Sequence, residues 1–536
     1  ASTSTDQTIE RYIQIGRAVM REGKLDDGSL WLMRAFDAGW GGAVWKTLGE
    51  AGYRVIALDH LGFGLSERPR GADYSPEGHA RRFAGFVEAL GLGRFSLVTH
   101  DFGGPIALPP AIPLPRPLQT LRFSMRQIDF VFRARRECGE VFRMRGMIGD
   151  RDEVVVVTSH PDHVRSLFTA KSEDAPSLTG ESPLRPIVGP NSVLTAVGPR
   201  HLRQRKLLLP SFHGEAVQRY VQMITDVAHR EIDRWPLGEA FAIAPRMQAV
   251  TLDVIMAGIF GIEGRPEKGT PEHGLRQAVR RVVDLSTRPE AQWVELLNIG
   301  RDEPIGVVRK VLDYLDRHVY AIIAARRAEA GVAERTDILS LLLEARDEDG
   351  APMTDQELRD ELLTLVLAGH ETTANSLAWG FERLLRNPAA YDRLRDEVRS
   401  GAGGDDYVLA TIHETMRSRP VIPVIGRRVR RDWDLGDFRV PADSAVLISI
   451  LLVHHREDVY PDPFAFRPER FLGVKPGTYT WIPFGGGIRR CLGATLAMAE
   501  QQVVLDTIAR RTDLEAPRAA PEHARHRNVT MIPSQG

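Results

Sequence analysis

Residues 484–493 read Phe484-Gly485-Gly486-Gly487-Ile488-Arg489-Arg490-Cys491-Leu492-Gly493. Three consecutive glycines carry no Cβ, so the backbone can turn tightly and approach a flat cofactor. Ile488 and Leu492 supply an apolar wall, and Gly493 leaves room where a helix starts. Ala494, Leu496, Ala497, Met498, Glu500 and Gln501 predict that helix. A sulfur at a helix N-terminus meets the positive end of the dipole and nearby amide donors, and both favour thiolate over thiol. We read the stretch as a loop that presents one sulfur to a bound metal. The plainer alternative is a buried cysteine in a glycine-rich turn.

A second stretch, Leu362-Leu363-Thr364-Leu365-Val366-Leu367-Ala368-Gly369-His370-Glu371-Thr372-Thr373, is an apolar helix carrying an acid and two hydroxyls near one end. Ala368 and Gly369 keep one place on it free of bulk. The Thr372 hydroxyl can bond back to a carbonyl one turn earlier and locally open the helix. The alternative is an amphipathic core helix with a threonine pair.

Together these stretches resemble the cytochrome P450 family of haem-thiolate monooxygenases. The family's ligand loop, Phe-x-x-Gly-x-Arg-x-Cys-x-Gly, is matched at Phe484, Gly487, Arg489, Cys491 and Gly493. Its oxygen-activating helix, Ala/Gly-Gly-x-Asp/Glu-Thr-Thr, is matched at residues 368–373. The resemblance implies a mainly α fold with small β-sheets and a haem b (iron protoporphyrin IX) ligated by Cys491. It implies catalytic positions at Ala368, Gly369, Glu371 and Thr372, with Thr372 and Glu371 supplying protons and the two small residues leaving space for dioxygen. Haem contacts are expected from Phe484, Gly485, Arg489 and Gly493. His201 and Arg205 stand at i and i+4 in His201-Leu202-Arg203-Gln204-Arg205, on one helix face, and resemble the family's propionate grip. Arg427 is a further propionate candidate, beside Arg428. Guanidinium forks suit carboxylates.

Glu414-Thr415-Met416-Arg417 places an acid and a base one turn apart. Arg470, in Phe466-Arg467-Pro468-Glu469-Arg470-Phe471, resembles the family's third partner in a buried ionic cluster. Three buried charges are costly unless they satisfy one another. The expected role is structural, holding the cysteine loop in shape. His455-Arg456 fits a family loop near the cluster, and Cys138 is read as a bystander.

The N-terminal part reads differently. Arg54 to Asp59 and Phe95 to His100 are strand-like, and Ala80 to Leu90 has helical spacing with Phe83, Phe86, Val87 and Leu90 on one face. Strand, helix, strand predicts a parallel α/β unit. The stretch resembles α/β-hydrolases of the haloalkane dehalogenase and epoxide hydrolase branch. Asp101, after the second strand, stands at the nucleophile's place, and Asp59, Gly62, Gly64 and Ser66 match the loop before the helix. The resemblance stops at the proline-rich run 109–117. A cap, later strands, an acid and a histidine are missing beyond it, so Asp101 is read as a vestigial nucleophile. The expected organisation is an unassigned segment 1–30, a truncated hydrolase-like segment 31–108, and a haem domain 109–536.

Over the 536 residues, 70 Lys and Arg nearly balance 71 Asp and Glu, so net charge points to no nucleic-acid partner. The two cysteines imply no disulfide framework, and a cytoplasmic setting is expected. No apolar run approaches the roughly 20 residues of a membrane span. The sequence holds no flavin, nicotinamide or iron–sulfur motif. Electrons are therefore expected from a separate ferredoxin or flavodoxin with its NAD(P)H reductase, docking near Arg489 and Arg490. Val421 to Ile425 and Val529 to Ile532 are apolar pocket candidates, compatible with a lipophilic substrate. The alternatives weighed are a bifunctional epoxidase and epoxide hydrolase using Asp101, a non-enzymatic haem sensor, and a peroxide-driven or isomerising relative.

Overall fold

The computed structural model describes residues 30–33, 54–57, 76–91, 95–98, 111–112, 116–145, 154–286 and 301–536, apart from isolated positions in the last two ranges. Its chain divides into two compact units, 1–110 with 431–442, and 111–430 with 443–536. Asp101, Asp59, Gly62, Gly64 and Ser66 lie outside the described residues.

In the first unit, β1 (Leu30–Met33), β2 (Arg54–Ala57) and β3 (Phe95–Val98) form a parallel sheet in the order β2-β1-β3. Leu30 aligns with Arg54 on one side and Phe95 on the other. Helix α1 (Pro76–Ala89) lies between β2 and β3 in the chain and buries Phe86. The parallel unit expected from the sequence is present. Its central strand β1 was missed, because four apolar residues carry too little period to register. A hairpin of β7 (Trp433–Leu435) and β8 (Phe438–Val440) belongs to the same unit.

The second unit is mainly helical. Helix α2 (Arg116–Cys138) leads into β4 (Val141–Arg145) and β5 (Val154–Thr158). These join β6 (Val424–Arg428) and β9 (Ala445–Ser449) in a four-stranded sheet of order β4-β5-β9-β6. Helices α3 (Pro161–Thr169) and α4 (Gly198–Leu208) follow. The helical pattern expected from 215 to 260 is two helices, α5 (Glu215–Ile232) and α6 (Ile243–Phe260). Trp235-Pro236-Leu237-Gly238 intervenes, and a proline cannot continue the α-helical ladder. Helix α6 is the one described helix long and apolar enough to cross a membrane. Ten of its side chains are buried in the core, among them Val254, Ile255 and Met256.

The organising element is α8 (Asp355–Leu385), after α7 (Gly306–Ala328). At 31 residues it spans about 46 Å. Thr354 starts it with a reciprocal capping box: Glu357 N–H donates to Thr354 Oγ1, and Thr354 N–H donates to Glu357 Oε2. Leu358, Leu362, Leu363 and Val366 join one core cluster, with Ile255 and Ile259 of α6. Ala374, Leu377, Phe381 and Leu384 join a second, with α9 (Asp406–Ser418) and α10 (Ala494–Arg511). The buried side chains of α8 include polar and charged ones, such as Arg359, Asp360, Glu361, Glu382 and Arg383, so the rod is held by ion pairs and hydrogen bonds as well as by apolar packing. A C-terminal hairpin, β10 (Ala524–Arg527) and β11 (Thr530–Pro533), closes the chain.

Candidate haem-thiolate site

The cysteine loop is a tight turn fastened at its ends. Cys491 N–H donates to Phe484 O (3.0 Å), and Arg490 N–H to Gly487 O (3.0 Å). Gly485 and Gly487 sit at φ of 65° and 62°, where a side chain would be strained. A Cβ on Gly486 would collide with the Phe168 ring, and one on Gly487 with the Phe168 carbonyl. Gly486 and Gly487 thus approach the end of α3, while Gly485 faces Ile425. Their compactness lets the loop dock on protein. Gly493 differs: nothing lies within 4 Å of the place its Cβ would take. Phe484 packs edge-on to Trp481, at 6.1 Å between ring centroids.

Cys491 is free and solvent-accessible, yet protein surrounds it closely enough for burial to push its thiol up. The Gly493 amide, Arg205 and Arg490 pull the other way without prevailing. The helix terminus alone therefore does not make this sulfur a thiolate. A metal ion does so by bonding the deprotonated form.

Four cationic or protonatable groups converge beside it with no carboxylate partner among the described residues. Arg205 Nη1 donates to Arg490 O (2.8 Å), tying α4 to the cysteine loop. Arg489 donates to the carbonyls of Val193 (3.2 Å), Leu194 (3.4 Å) and Ala196 (2.5 Å). Arg427, 6% exposed, bonds only the Gly426 carbonyl. Burial pushes Arg427 and Arg489 down to about 10, Arg489 with help from Arg427 and Arg205. His201, 1% exposed, is driven to about 3 by burial and by Arg489, Arg205 and Arg427, and its Nδ1 has no partner. Arg428, by contrast, is neutralised by Glu181 (2.6 Å) and so is not the propionate candidate. A buried cation without a counter-ion, such as Arg427, is costly, and half-buried Arg205 and Arg489 beside it add positive charge, so this donor set suits anions. The two carboxylates of haem fit it.

On helix α8, Ala368 is exposed and Thr372, one turn on, is half-buried. Thr372 Oγ1 donates to Ala368 O (2.6 Å), as expected. The expected local opening does not follow, and α8 is helical throughout, because the carbonyl's second lone pair takes the hydroxyl. Gly369 corrects another expectation. A Cβ there would lie 2.6 Å from Ile255 Cδ1, so Gly369 faces α6 and permits close helix packing rather than space for dioxygen. One residue's 100° rotation separates it from Ala368. Glu371 is held by Arg527 and Thr530, partners the sequence reading missed. Also missed was Glu361, on the same face as Ala368 and Thr372 but sealed under the Val193 N–H (2.8 Å), where burial pushes it well above the usual carboxylate range.

The ionic cluster is assembled as expected. Arg417 grips Glu414 through Nε (2.6 Å) and Nη2 (2.8 Å), both side chains wholly buried, and Arg470 Nε lies 3.4 Å from Glu414 Oε1. Arg417 also donates to the carbonyls of His454 (2.9 Å) and Pro463 (2.8 Å). Ile482 N–H donates to His454 Nε2 (2.8 Å), and Trp481 Nε1 to His413 O (3.1 Å). These bonds run from the cluster to the residues just before the cysteine loop.

A helical unit organised along one long rod, with an accessible cysteine beside arginines that have no carboxylate partner among the described residues, fits a haem-thiolate protein. Residues 107–536 match the cytochrome P450 family, and the chain belongs to it. Residues 38–109 match the alpha/beta hydrolase fold family. The chain is 34% identical over 473 residues to cytochrome P450 137 of Mycobacterium tuberculosis, covering 84% of this chain and 94% of that protein. It is 37% identical over 432 residues to cytochrome P450 138 of Mycobacterium bovis, covering 80% and 95%. The solved structure of retinoic acid-bound cyanobacterial CYP120A1 superposes with a TM-score of 0.60 at 25% identity, covering 74% of this chain and 90% of that one. The protein is therefore a P450 monooxygenase, and its cofactor is the family's iron protoporphyrin IX.

Proposed function

We propose that residues 109–536 insert one atom of dioxygen into a lipophilic substrate, with electrons from a separate ferredoxin or flavodoxin and its NAD(P)H reductase in the cytoplasm. When bound, the haem supplies dioxygen activation and oxygen transfer. The chain's own residues hold it and manage protons. Cys491 Sγ is the iron ligand, and His201, Arg205, Arg427 and Arg489 take the propionates. Phe484, Gly485 and Gly493 shape the loop and the space above it. Ala368 keeps the facing wall low, and Thr372 carries a hydroxyl whose proton is already engaged with a carbonyl, leaving lone pairs to accept. Glu371 exchanges protons with water at its unengaged oxygen. Glu414, Arg417 and Arg470 keep the loop in register.

The observation that carries this reading is three arginines, Arg205, Arg427 and Arg489, with no carboxylate partner among the described residues, gathered with neutral, buried His201 beside the cysteine loop. Arg489 and Arg490 offer a basic docking face for an acidic electron donor. The segment 31–108 is read as a hydrolase remnant without its own chemistry. The test is optical. Reduction under carbon monoxide should give a thiolate-type band, absent in Cys491→Ser. A library of fatty acids, terpenes, steroids and polyketides, screened for spin-state shifts, should give hits that become oxygenated products only with dioxygen and an electron donor. Binding without oxygen-dependent product would overturn the reading.

A further inference from the structure

The acid beside Thr372 is gripped by an element the sequence places far away. Arg527 reaches Glu371 Oε1 through Nε (2.9 Å) and Nη2 (2.7 Å), and Thr530 Oγ1 lies 3.0 Å from the same oxygen. Arg527 and Thr530 are the last cross-strand pair of the β10–β11 hairpin, joined further by Thr530 Oγ1 to Arg527 O at 2.8 Å. Both Arg527 nitrogens donate to Oε1, the single Thr530 hydroxyl proton is shared between Oε1 and the Arg527 carbonyl, and no protein group among the described residues bonds Oε2. The side chains are 14% (Arg527) and 26% (Glu371) exposed, so the pair is partly shielded from water. His370, the preceding residue on α8, is buried and bonded to the Gln248 carbonyl (3.1 Å), and it feels the charges of both Glu371 and Arg527.

The same hairpin is fastened at two further points. Met531 N–H donates to Val421 O (2.7 Å), and Met531 O accepts from buried Trp379 Nε1 of α8 (2.9 Å). Val421 opens the apolar segment after α9. One strand therefore connects that segment, the rod α8 and the acid. A carboxylate held through one oxygen has a fixed rotamer and one free oxygen. A carboxylate held through neither samples several rotamers and places its proton poorly.

We propose that Arg527 and Thr530 are positioning residues that hold Glu371 through Oε1, leaving Oε2 as the proton-exchanging oxygen, and so couple the C-terminal hairpin to proton supply. This rests on the reading of Glu371 as the proton relay. The proposal needs Arg527 and Glu371 to act as one unit, which a merely structural arginine would not do.

The experiment compares holoprotein carrying Glu371→Gln, Arg527→Gln, Thr530→Val and the double variant E371Q/R527Q. Two readouts are used, with the carbon monoxide band confirming intact haem ligation in each. The first is amide hydrogen exchange in the resting ferric protein, over peptides spanning 521–536. Loss of charge-assisted bonds should speed exchange there about tenfold in E371Q and in R527Q, with no further gain in the double variant. The second is turnover with a surrogate ferredoxin and reductase. R527Q should lower kcat about tenfold and enlarge the solvent isotope effect, with substrate affinity by spin-state shift unchanged, and should add nothing to E371Q. T530V should move both readouts the same way, more weakly. Unchanged hairpin exchange in E371Q, or additive losses in the double variant, overturns the proposal. Wild-type turnover in E371Q instead overturns the proton-relay reading of Glu371, and hairpin exchange then still decides whether the clamp exists. Should R527Q lose its carbon monoxide band, Arg527→Lys keeps the charge without the fork and takes its place.

Discussion

Glu500 lies on α10, nine residues beyond Cys491, with 2% of its surface exposed and no partner for Oε1. Burial pushes its carboxyl from 4.5 up to about 8. The folded protein therefore keeps this proton until pH climbs towards 8, whereas the unfolded chain releases it near 4.5. A group with a raised folded-state value of this kind erodes stability as pH rises between the two values, and the loss is complete above the upper one. At about 1.4 kcal/mol for each tenfold, the gap amounts to about 5 kcal/mol. Glu500→Gln keeps the shape and never ionises. Its stability relative to wild type should therefore grow by about 1.4 kcal/mol per pH step from 4.5 to 8, then level off. Guanidinium unfolding of the holoproteins at pH 5, 6, 7, 8 and 9, followed by tryptophan fluorescence, measures this difference directly. Every other titrating group is common to both proteins and cancels. Parallel stability curves would refute the reasoning, since they would mean that Glu500 ionises in the folded state as it does unfolded.

Three further outcomes are expected. Arg417→Leu strands wholly buried Glu414 and should cost about 3–5 kcal/mol, read as a lower denaturant midpoint and faster haem loss. Arg427→Gln should have opposite effects on the two forms: haem transfer to apomyoglobin about tenfold faster, because a propionate partner is lost, and a more stable apoprotein, because a buried unpaired cation is removed. Gly369→Ala should cost about 1–2 kcal/mol through Ile255, and Ile255→Val in the same chain should recover part of it, measured by thermal unfolding.

Much of the site was legible because its chemistry is local. The cysteine, its glycines and the two loop arginines occupy one decapeptide, and the Glu-x-x-Arg pair needs only helical spacing. His201 and Arg205 share a helix face at i, i+4, and their role came from resemblance to the family's propionate-binding helix. Arg427 over Arg428 was harder, since adjacent arginines on a strand face opposite sides, and only burial and the Glu181 pairing told them apart. Gly369 was misread for a related reason. Its neighbour Ala368 is exposed, and a motif does not say which of two adjacent small residues meets a partner helix. Arg527 and Thr530 had no local signal, standing 156 and 159 residues from the acid they hold.

Covalent order alone determined which residues can ligate, relay and neutralise, because those capacities belong to side-chain types and to spacings of one helical turn or one tight loop. It also predicted a long helix at α8, and Leu358, Leu362, Leu363 and Val366 recur at the spacing of one buried face. Tertiary packing decided the rest. It left four basic groups without acids around one sulfur, sent Gly369 towards α6, and brought the last strands back onto Glu371. Those outcomes depend on which surfaces meet across hundreds of residues, and meeting is settled by shape and burial rather than by any pattern a short stretch can carry.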